Sequence, residues 1–277
     1  MWSNFHTHST YCDGKSSLAE IVRSAISKNM ISLGLSSHAP LPFPSTWCMK
    51  YEKLEGYLHE IKHLKRITSP LQIYSGLEVD YIPGKISPDD FKNQLDYTIG
   101  SIHFVESFSA GSGWEIDGPH HFFQQGYEQI FKKDIRAVVN RYFELTREMI
   151  TKNCPNIIGH LDKIKIHNMY HPYFDESENW YREEVKKTID TIQASGAIVE
   201  VNTRGLYQKK SLTPYPSPWI LELICKQNIP ITISSDAHHA DDLVNQFQET
   251  AGLLLRVGFK KIRILLDGRW QDKMILD

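Results

Sequence analysis

Residues 4–14 read NFHTHSTYCDG, and the two histidines in this stretch decide how the rest of the chain is read. In an extended strand, residues i and i+2 point to the same face. His6 and His8 therefore stand side by side, with Asp13 five residues further on. An apolar core gains nothing from two adjacent imidazoles, because each buried polar nitrogen must find a partner. A metal ion gains two ligands. A coordination sphere begun on the first strand needs its remaining ligands from other strands.

Short apolar runs, most closing on a polar or charged cluster, recur along the chain: NFHTH, ISLGLSSHAP, LQIYSGLEVD, YTIGSIHF, NIIGHLDK, AIVEVNTRG, PITISSDAHH and KIRILLDG. Several are nearly continuous in Ile, Val and Leu, as strands buried on both faces are. Between many of them lie amphipathic helical stretches with readable ends. Ser17 and Glu20 form a capping box before the stripe Leu18, Ile21, Val22, Ala25 and Ile26. Ser217-Pro218 is an N-cap with proline at the first helical position. WYREEVKKTIDTIQASG places Tyr181, Val185, Ile189 and Ile192 on one face and stops near Gly196. This alternation predicts an α/β fold with a parallel sheet, and seven or eight such units predict a barrel. One barrel domain across residues 1–277 is expected. In such a barrel the functional groups sit at the C-terminal ends of the strands.

The strand ends carry a consistent chemistry. In order they offer His6, His8 and Asp13; His38; Glu78 and Asp80; His103; His160; Asn202 and Arg204; then Asp236 and His238. Any one of these histidines alone would read as a packed or surface residue, but seven ends sharing one bias point to metal binding. Imidazole and carboxylate without a thiolate cluster suit Zn, Mn or Fe. Six histidines with the carboxylates Asp13, Glu78 and Asp236 exceed the needs of one ion, so two to three divalent ions are expected. Metals about 3.5–4 Å apart clamp both the attacking and leaving oxygens in displacement at phosphorus, with a bound hydroxide as nucleophile. Arg204, Asp236 and His238 are the candidates for catalysis. A guanidinium offers phosphate a planar bidentate partner, although Arg204 could instead pair with a strand-end carboxylate.

Composition narrows the setting. A net charge of −2 gives no basic field, so no nucleic-acid partner is expected. Four well-separated cysteines, without a C-x-x-C pair, read as reduced thiols. The first residues hold no apolar signal core, and no run approaches the roughly 18–20 apolar residues that span a bilayer. A cytoplasmic enzyme acting on a small phosphate ester is the expectation, with no membrane partner.

HTHSTYCDG, SSHAP, GLEVDY, GSIHF, IGHLDK, VNTRG and SDAHH resemble the motif series of the polymerase-and-histidinol-phosphatase (PHP) family of metallophosphoesterases, and within it the histidinol-phosphatase branch. The likeness runs from residue 4 to about residue 270 and includes LLDGRW. It implies a distorted (β/α)7 TIM-like barrel with a trinuclear metal site, and hydrolysis of L-histidinol phosphate in histidine biosynthesis. By motif, His6, His8, Glu78 and Asp236 would hold one ion. Glu78 would bridge to a second, completed by His103 and His160. Asp13, His38 and His238 would hold the third. Some members carry histidine where this chain has Asp13, an exchange that keeps a ligand.

Other readings compete. His59-Glu60-Ile61-Lys62-His63 matches the H-E-x-x-H pattern of zinc peptidases. Both histidines lie opposite the stripe Leu54, Tyr57, Leu58, Ile61 and Leu64, so they are expected on a solvated face. Another phosphate ester, or metal binding without turnover, would also use the same ligands. His239 is a candidate for protonating the leaving group or for supporting a ligand. His120, His121, His167 and His171 read as loop histidines, and Cys12 as a small packed residue. The stretch ESFSAGSGWEIDGPHHFF lacks periodicity and reads equally as a substrate lid or a plain surface loop. Trp114, Glu115 and Asp117 in it could meet an imidazole or ammonium. His38 and Trp47 are further candidates for the substrate pocket.

Overall fold

A computed structural model of the protein describes residues 2–109 and 111–275. Its elements are β1 (Ser3–Asn4), α1 (Leu18–Ser27), β2 (Ser32–Leu35), α2 (Tyr51–Ile67), β3 (Gln72–Asp80), β4 (Tyr97–Ser101), β5 (Phe104–Ser107), β6 (Gly113–Glu115), α3 (His120–Gln129), α4 (Ile135–Lys152), β7 (Ile157–Ile158), α5 (Asn179–Ser195), β8 (Ile198–Asn202), α6 (Arg204–Tyr207), α7 (Pro218–Lys226), β9 (Ile231–Ser234), α8 (Phe247–Val257), β10 (Lys261–Leu266) and β11 (Arg269–Met274). Seven strands pair in parallel in the order β1-β2-β3-β4-β7-β8-β9. This is chain order once the β5–β6 hairpin is set aside. Just beyond β1 and β9 the sheet nearly closes on itself. His8 N donates to Ala237 O at 2.8 Å, and Ala237 N donates to His6 O at 3.2 Å. The result is a distorted TIM-like barrel.

Helix periodicity places the outer layer. In α1 the capping box forms, with Ser17 N donating to Glu20 Oε2 at 2.7 Å, and Leu18, Ile21, Val22 and Ala25 are buried. Ile26 falls off this stripe and is half exposed. Tyr57, Ile61 and Leu64 face inward from α2, while Tyr181, Val185, Ile189 and Ile192 do so from α5. Gly196, at φ 72°, ends α5 in the left-handed region that glycine adopts without penalty. No helix among the described residues is long and apolar enough to cross a membrane.

KIRILLDG, the eighth apolar run, is not a barrel strand. It forms β10, which pairs antiparallel with β11. Asp267 and Gly268 both have positive φ, as a two-residue hairpin turn requires. The hairpin sits over the starts of the strands. Ser32 Oγ donates to Leu265 O at 2.6 Å, and Gln72 Nε2 to Asp267 Oδ1 at 2.8 Å. Trp270 packs edge-on against Phe5, with ring centroids 5.1 Å apart. This plug leaves the opposite end of the barrel as the open mouth.

Candidate metal centre

The backbone just past β1 is extended, and it sets the rings of His6 and His8 5.0 Å apart, both fully buried. His6 Nδ1 lies 2.6 Å from Glu200 Oε1. Glu200 is a buried carboxylate inside β8 that also accepts from His160 N at 2.7 Å and Asn202 Nδ2 at 3.1 Å. With Nδ1 committed as donor, His6 presents a lone pair on Nε2. That nitrogen faces Glu78 Oε2 at 3.0 Å and Asp236 Oδ1 at 3.8 Å. His8 Nε2 faces Asp236 Oδ1 at 3.1 Å and Glu78 Oε2 at 3.4 Å. Among the described residues, neither imidazole Nε2 nor Glu78 Oε2 has a hydrogen-bond partner of acceptable geometry. Buried lone pairs aimed at one another repel unless a cation lies between them. The donor set fits a divalent metal ion.

Two further sets adjoin the first. Glu78 Oε1 lies 2.9 Å from His160 Nε2 and 3.6 Å from His103 Nε2. Asp80, two residues along β3 and on the same face as Glu78, holds His103 through its Nδ1 at 3.0 Å and its backbone N at 3.1 Å. Asp13 then meets His238 at 3.2 Å and His38 at 3.8 Å. His8 lies within this last set as well as the first, so the three sets are His6–His8–Asp236, Glu78–His103–His160 and His8–Asp13–His38–His238. Asp13 reaches the mouth because the loop after β1 folds back tightly. A Cβ on Gly14 would sit 2.5 Å from the His8 backbone. Asp236, two residues past the end of β9, has φ 51°, a left-handed conformation that few residues other than glycine adopt.

The electrostatics follow from this crowding. Burial works against charge on His6, yet Glu200, Glu78 and Asp236 together hold its imidazole well above the ordinary range. Burial likewise opposes protonation of His103, but Asp80 and Asp117 raise it to about 9. Burial, His238 and His38 push His8 well below the usual value. Glu78 is pushed up by burial and pulled further down by His6, His38 and His103. A bound metal would take the place of the protons that His6 and His103 otherwise carry.

Arg204 opens α6 and leans across the end of β9. Its Nη1 donates to Asp236 O at 2.6 Å and Oδ1 at 3.3 Å, and meets His238 Nδ1. Among the described residues only this nitrogen of the guanidinium is engaged, so the carboxylate pairing and a free donor edge coexist. The mouth is a cavity of about 230 Å³ lined by ligand-set residues together with Trp47, Glu115, Asp117, Lys163, Arg204 and Lys210.

Sequence reasoning missed two of these groups. Lys163, buried three residues after His160, places Nζ 2.8 Å from Asp117 Oδ2 and within 3.5 Å of the Nε2 atoms of His103 and His160. Glu200 was legible as the one carboxylate inside AIVEVN, on the same face as Asn202. Cys12 is also more than packing, since its Sγ lies 3.6 Å from His8 Nδ1.

Two expected site residues lie elsewhere. Trp114 is fully buried in the core, where its indole N–H donates to Phe122 O at 3.2 Å and its rings pack on Phe123 and Phe131. Successive strand residues face opposite ways, so β6 turns Trp114 inward and Glu115 to the mouth. His239 is half exposed and caps the turn Ala240–Val244, its Nδ1 accepting from Asp241 N at 3.3 Å. His59 and His63 are exposed on α2. His120 stacks on His171 with ring centroids 3.4 Å apart, and His167 Nε2 lies 3.0 Å from Ile116 O. None of these histidines joins a ligand set.

A barrel whose strand ends converge on overlapping histidine and carboxylate sets defines a protein built around a divalent metal centre. The chain belongs to the PHP family, whose PHP domain matches residues 4–204. It is 29% identical over 257 residues to the histidinol-phosphatase of Bacillus subtilis, an alignment covering 86% of this chain and 94% of that protein. A Listeria monocytogenes structure provisionally assigned as a histidinol phosphatase superposes with a TM-score of 0.77 at 22% identity, over 90% of this chain and 99% of the other. The histidinol phosphate phosphatase of Lactococcus lactis, solved with zinc, L-histidinol and phosphate, gives 0.71 at 20% identity over 97% and 98% of the two chains.

Proposed function

We propose that the protein is a metal-dependent phosphomonoesterase that hydrolyses L-histidinol phosphate to L-histidinol and phosphate, a late cytoplasmic step of histidine biosynthesis. The observation that carries the reading is the convergence of three ligand sets around Glu78, with the unused edge of Arg204 in the same cavity. The Bacillus relative's activity and the zinc, L-histidinol and phosphate held by the Lactococcus protein support the choice of substrate.

His6, His8 and Asp236 would hold one ion, Glu78 with His103 and His160 a second, and His8, Asp13, His38 and His238 a third, with His8 and Glu78 tying the sets together. Zinc, manganese or iron bound there would activate water near neutral pH and offset charge on the phosphoryl oxygens. The chain's own groups orient the ester. Arg204 offers one guanidinium edge to phosphate while Asp236 and His238 hold the other. Lys163 adds a second cation beside His103 and His160, kept in place by Asp117. His38 and Trp47, whose rings meet edge-on at 4.6 Å, form part of the wall.

The test is phosphate release from L-histidinol phosphate and from phenyl phosphate by protein of counted metal content. Preference for the first ester, abolished by chelation and by His8→Ala, supports the reading. Release from phenyl phosphate alone keeps the phosphatase and removes the substrate. No release from either by metal-loaded protein overturns the function.

A further inference from the structure

Glu115 is a half-buried carboxylate with no cation paired directly to it among the described residues. Its strand, β6, belongs to the hairpin that follows His103, and strand alternation turns its side chain into the mouth. One oxygen, Oε1, accepts a hydrogen bond from Trp47 Nε1 at 3.0 Å. Trp47 lies on the loop after His38, and its ring sits 4.6 Å from that of His38 and 5.5 Å from that of His103. The carboxylate thus stands one indole away from two of the ligand histidines, held by a neutral donor that bridges two loops.

The neighbouring carboxylate behaves differently. Asp117 is neutralised by Lys163 at 2.8 Å. No Lys, Arg or His nitrogen lies within 4 Å of the Glu115 carboxylate among the described residues. Burial and the repulsion of Asp117 push its carboxyl above the ordinary value, while the Trp47 N–H and the more distant His103 oppose that rise without cancelling it. A carboxylate withdrawn from water and set beside another anion is costly unless a cation relieves it. Here the relieving cation has to come from the cavity. The same cavity carries Arg204, Lys163 and Lys210, so its lining combines cations suited to phosphate with one anion that no protein cation contacts directly among the described residues. A phosphate ester that also bears a positively charged nitrogen matches both.

We infer that Glu115, aimed by the Trp47 indole, is the specificity-determining group that receives the cationic nitrogen of the substrate. The inference rests on the phosphomonoesterase reading and deepens it. It assigns the substrate class as amine-bearing phosphate monoesters.

The experiment compares metal-loaded wild type, Glu115→Gln and Trp47→Phe on three esters: L-histidinol phosphate, phosphoethanolamine (an ammonium without an imidazole) and phenyl phosphate (no nitrogen). Glu115→Gln keeps the hydrogen-bond acceptor for Trp47 and removes only the charge. The expected result is a loss of at least about 30-fold in kcat/KM on L-histidinol phosphate, as for other desolvated charge pairs, with less than about a threefold change on phenyl phosphate. Trp47→Phe should shift selectivity in the same direction by a smaller factor, because the carboxylate remains but is no longer aimed. A parallel loss on phosphoethanolamine would identify the ammonium as the bound group; a loss confined to L-histidinol phosphate would identify the imidazole. Equal losses on all three esters, or unchanged selectivity, would overturn the inference. Calorimetry of L-histidinol binding to metal-loaded protein separates this failure from that of the parent reading. Weaker binding by Glu115→Gln upholds the carboxylate's role even if no ester is hydrolysed, and unchanged binding removes it.

Discussion

Glu200→Gln isolates what a buried carboxylate contributes to His6, a proposed metal ligand, without itself joining the ligand set. Glu200 serves three donors: His6 Nδ1 at 2.6 Å, His160 N at 2.7 Å and Asn202 Nδ2 at 3.1 Å. Glutamine fills the same space with one acceptor oxygen and one amide. If the oxygen stays with His160 N and Asn202, the amide donates to His6 Nδ1. The imidazole proton then moves to Nε2, the atom facing Glu78 Oε2 at 3.0 Å. If the oxygen turns to His6 instead, two buried donors lose their acceptor, at about 1–3 kcal/mol each. The first arrangement is cheaper, and it takes the Nε2 lone pair of His6 out of the proposed ligand set. Loss of such a supporting carboxylate weakens metal binding about 10–100-fold, which is about 1.4–2.7 kcal/mol at about 1.4 kcal/mol per tenfold. Competition with a fluorescent zinc chelator measures the affinity directly, and mass spectrometry counts ions per chain. Cooperative thermal unfolding of the metal-free variant checks the fold. A folded Glu200→Gln protein that binds zinc within about threefold of wild type would refute the reasoning.

Three other outcomes follow from the geometry. Arg204→Lys cannot hold Asp236 O and a phosphate oxygen with one planar group, so kcat/KM on L-histidinol phosphate should fall about 10²–10³-fold with metal content unchanged; an unchanged value would take Arg204 out of the site. Lys163→Met removes the nearest cation from the partly buried Asp117, leaving it only the more distant His103 at 3.9 Å, and should cost about 1–3 kcal/mol in urea unfolding. Adding Asp117→Asn should recover most of that loss, and no recovery would show that the pair is not what stabilises this wall. The pH dependence has opposite signs with and without metal. His6 and His103 have raised values in the folded chain, so the stability they add is complete below their ordinary value of 6.5. It is lost as pH rises, in the case of His103 through about 9. Metal-free protein should therefore melt lower at pH 9.5 than at pH 6.5. Zinc affinity should rise over the same range as ligand protons leave, with proton release on binding measured by calorimetry in buffers of different ionisation enthalpy. A metal-free protein that gains stability between those two pH values would contradict the assignment of charge to these two imidazoles.

The chain order of residues was enough to place the barrel and to bring together most residues of the candidate metal centre. Strand periodicity fixes which side chains share a face, so His6 with His8, Glu78 with Asp80 and Asp236 with His238 could be paired before any coordinates. Strand ends in a parallel barrel meet at one mouth, which brought the seven segments together. What local pattern could not supply was direction in the irregular segments and partners across the barrel. Trp114 and Glu115 are adjacent in sequence, and only the pairing of β6 with β5 decides that the indole enters the core while the carboxylate faces the cavity. His239 is next to His238, a member of one candidate ligand set, yet the turn that follows β9 sends it to solvent. Glu200 and Lys163 acquire their roles from His6 and Asp117, 194 and 46 residues away in the chain. KIRILLDG has a strand's composition, but its place as a plug under the barrel depends on Trp270 finding Phe5 and Tyr97. Local periodicity is written into the chain because it depends on neighbours within a few residues. Charge pairing across the mouth is not, because it depends on which distant groups folding brings within about 3 Å of one another.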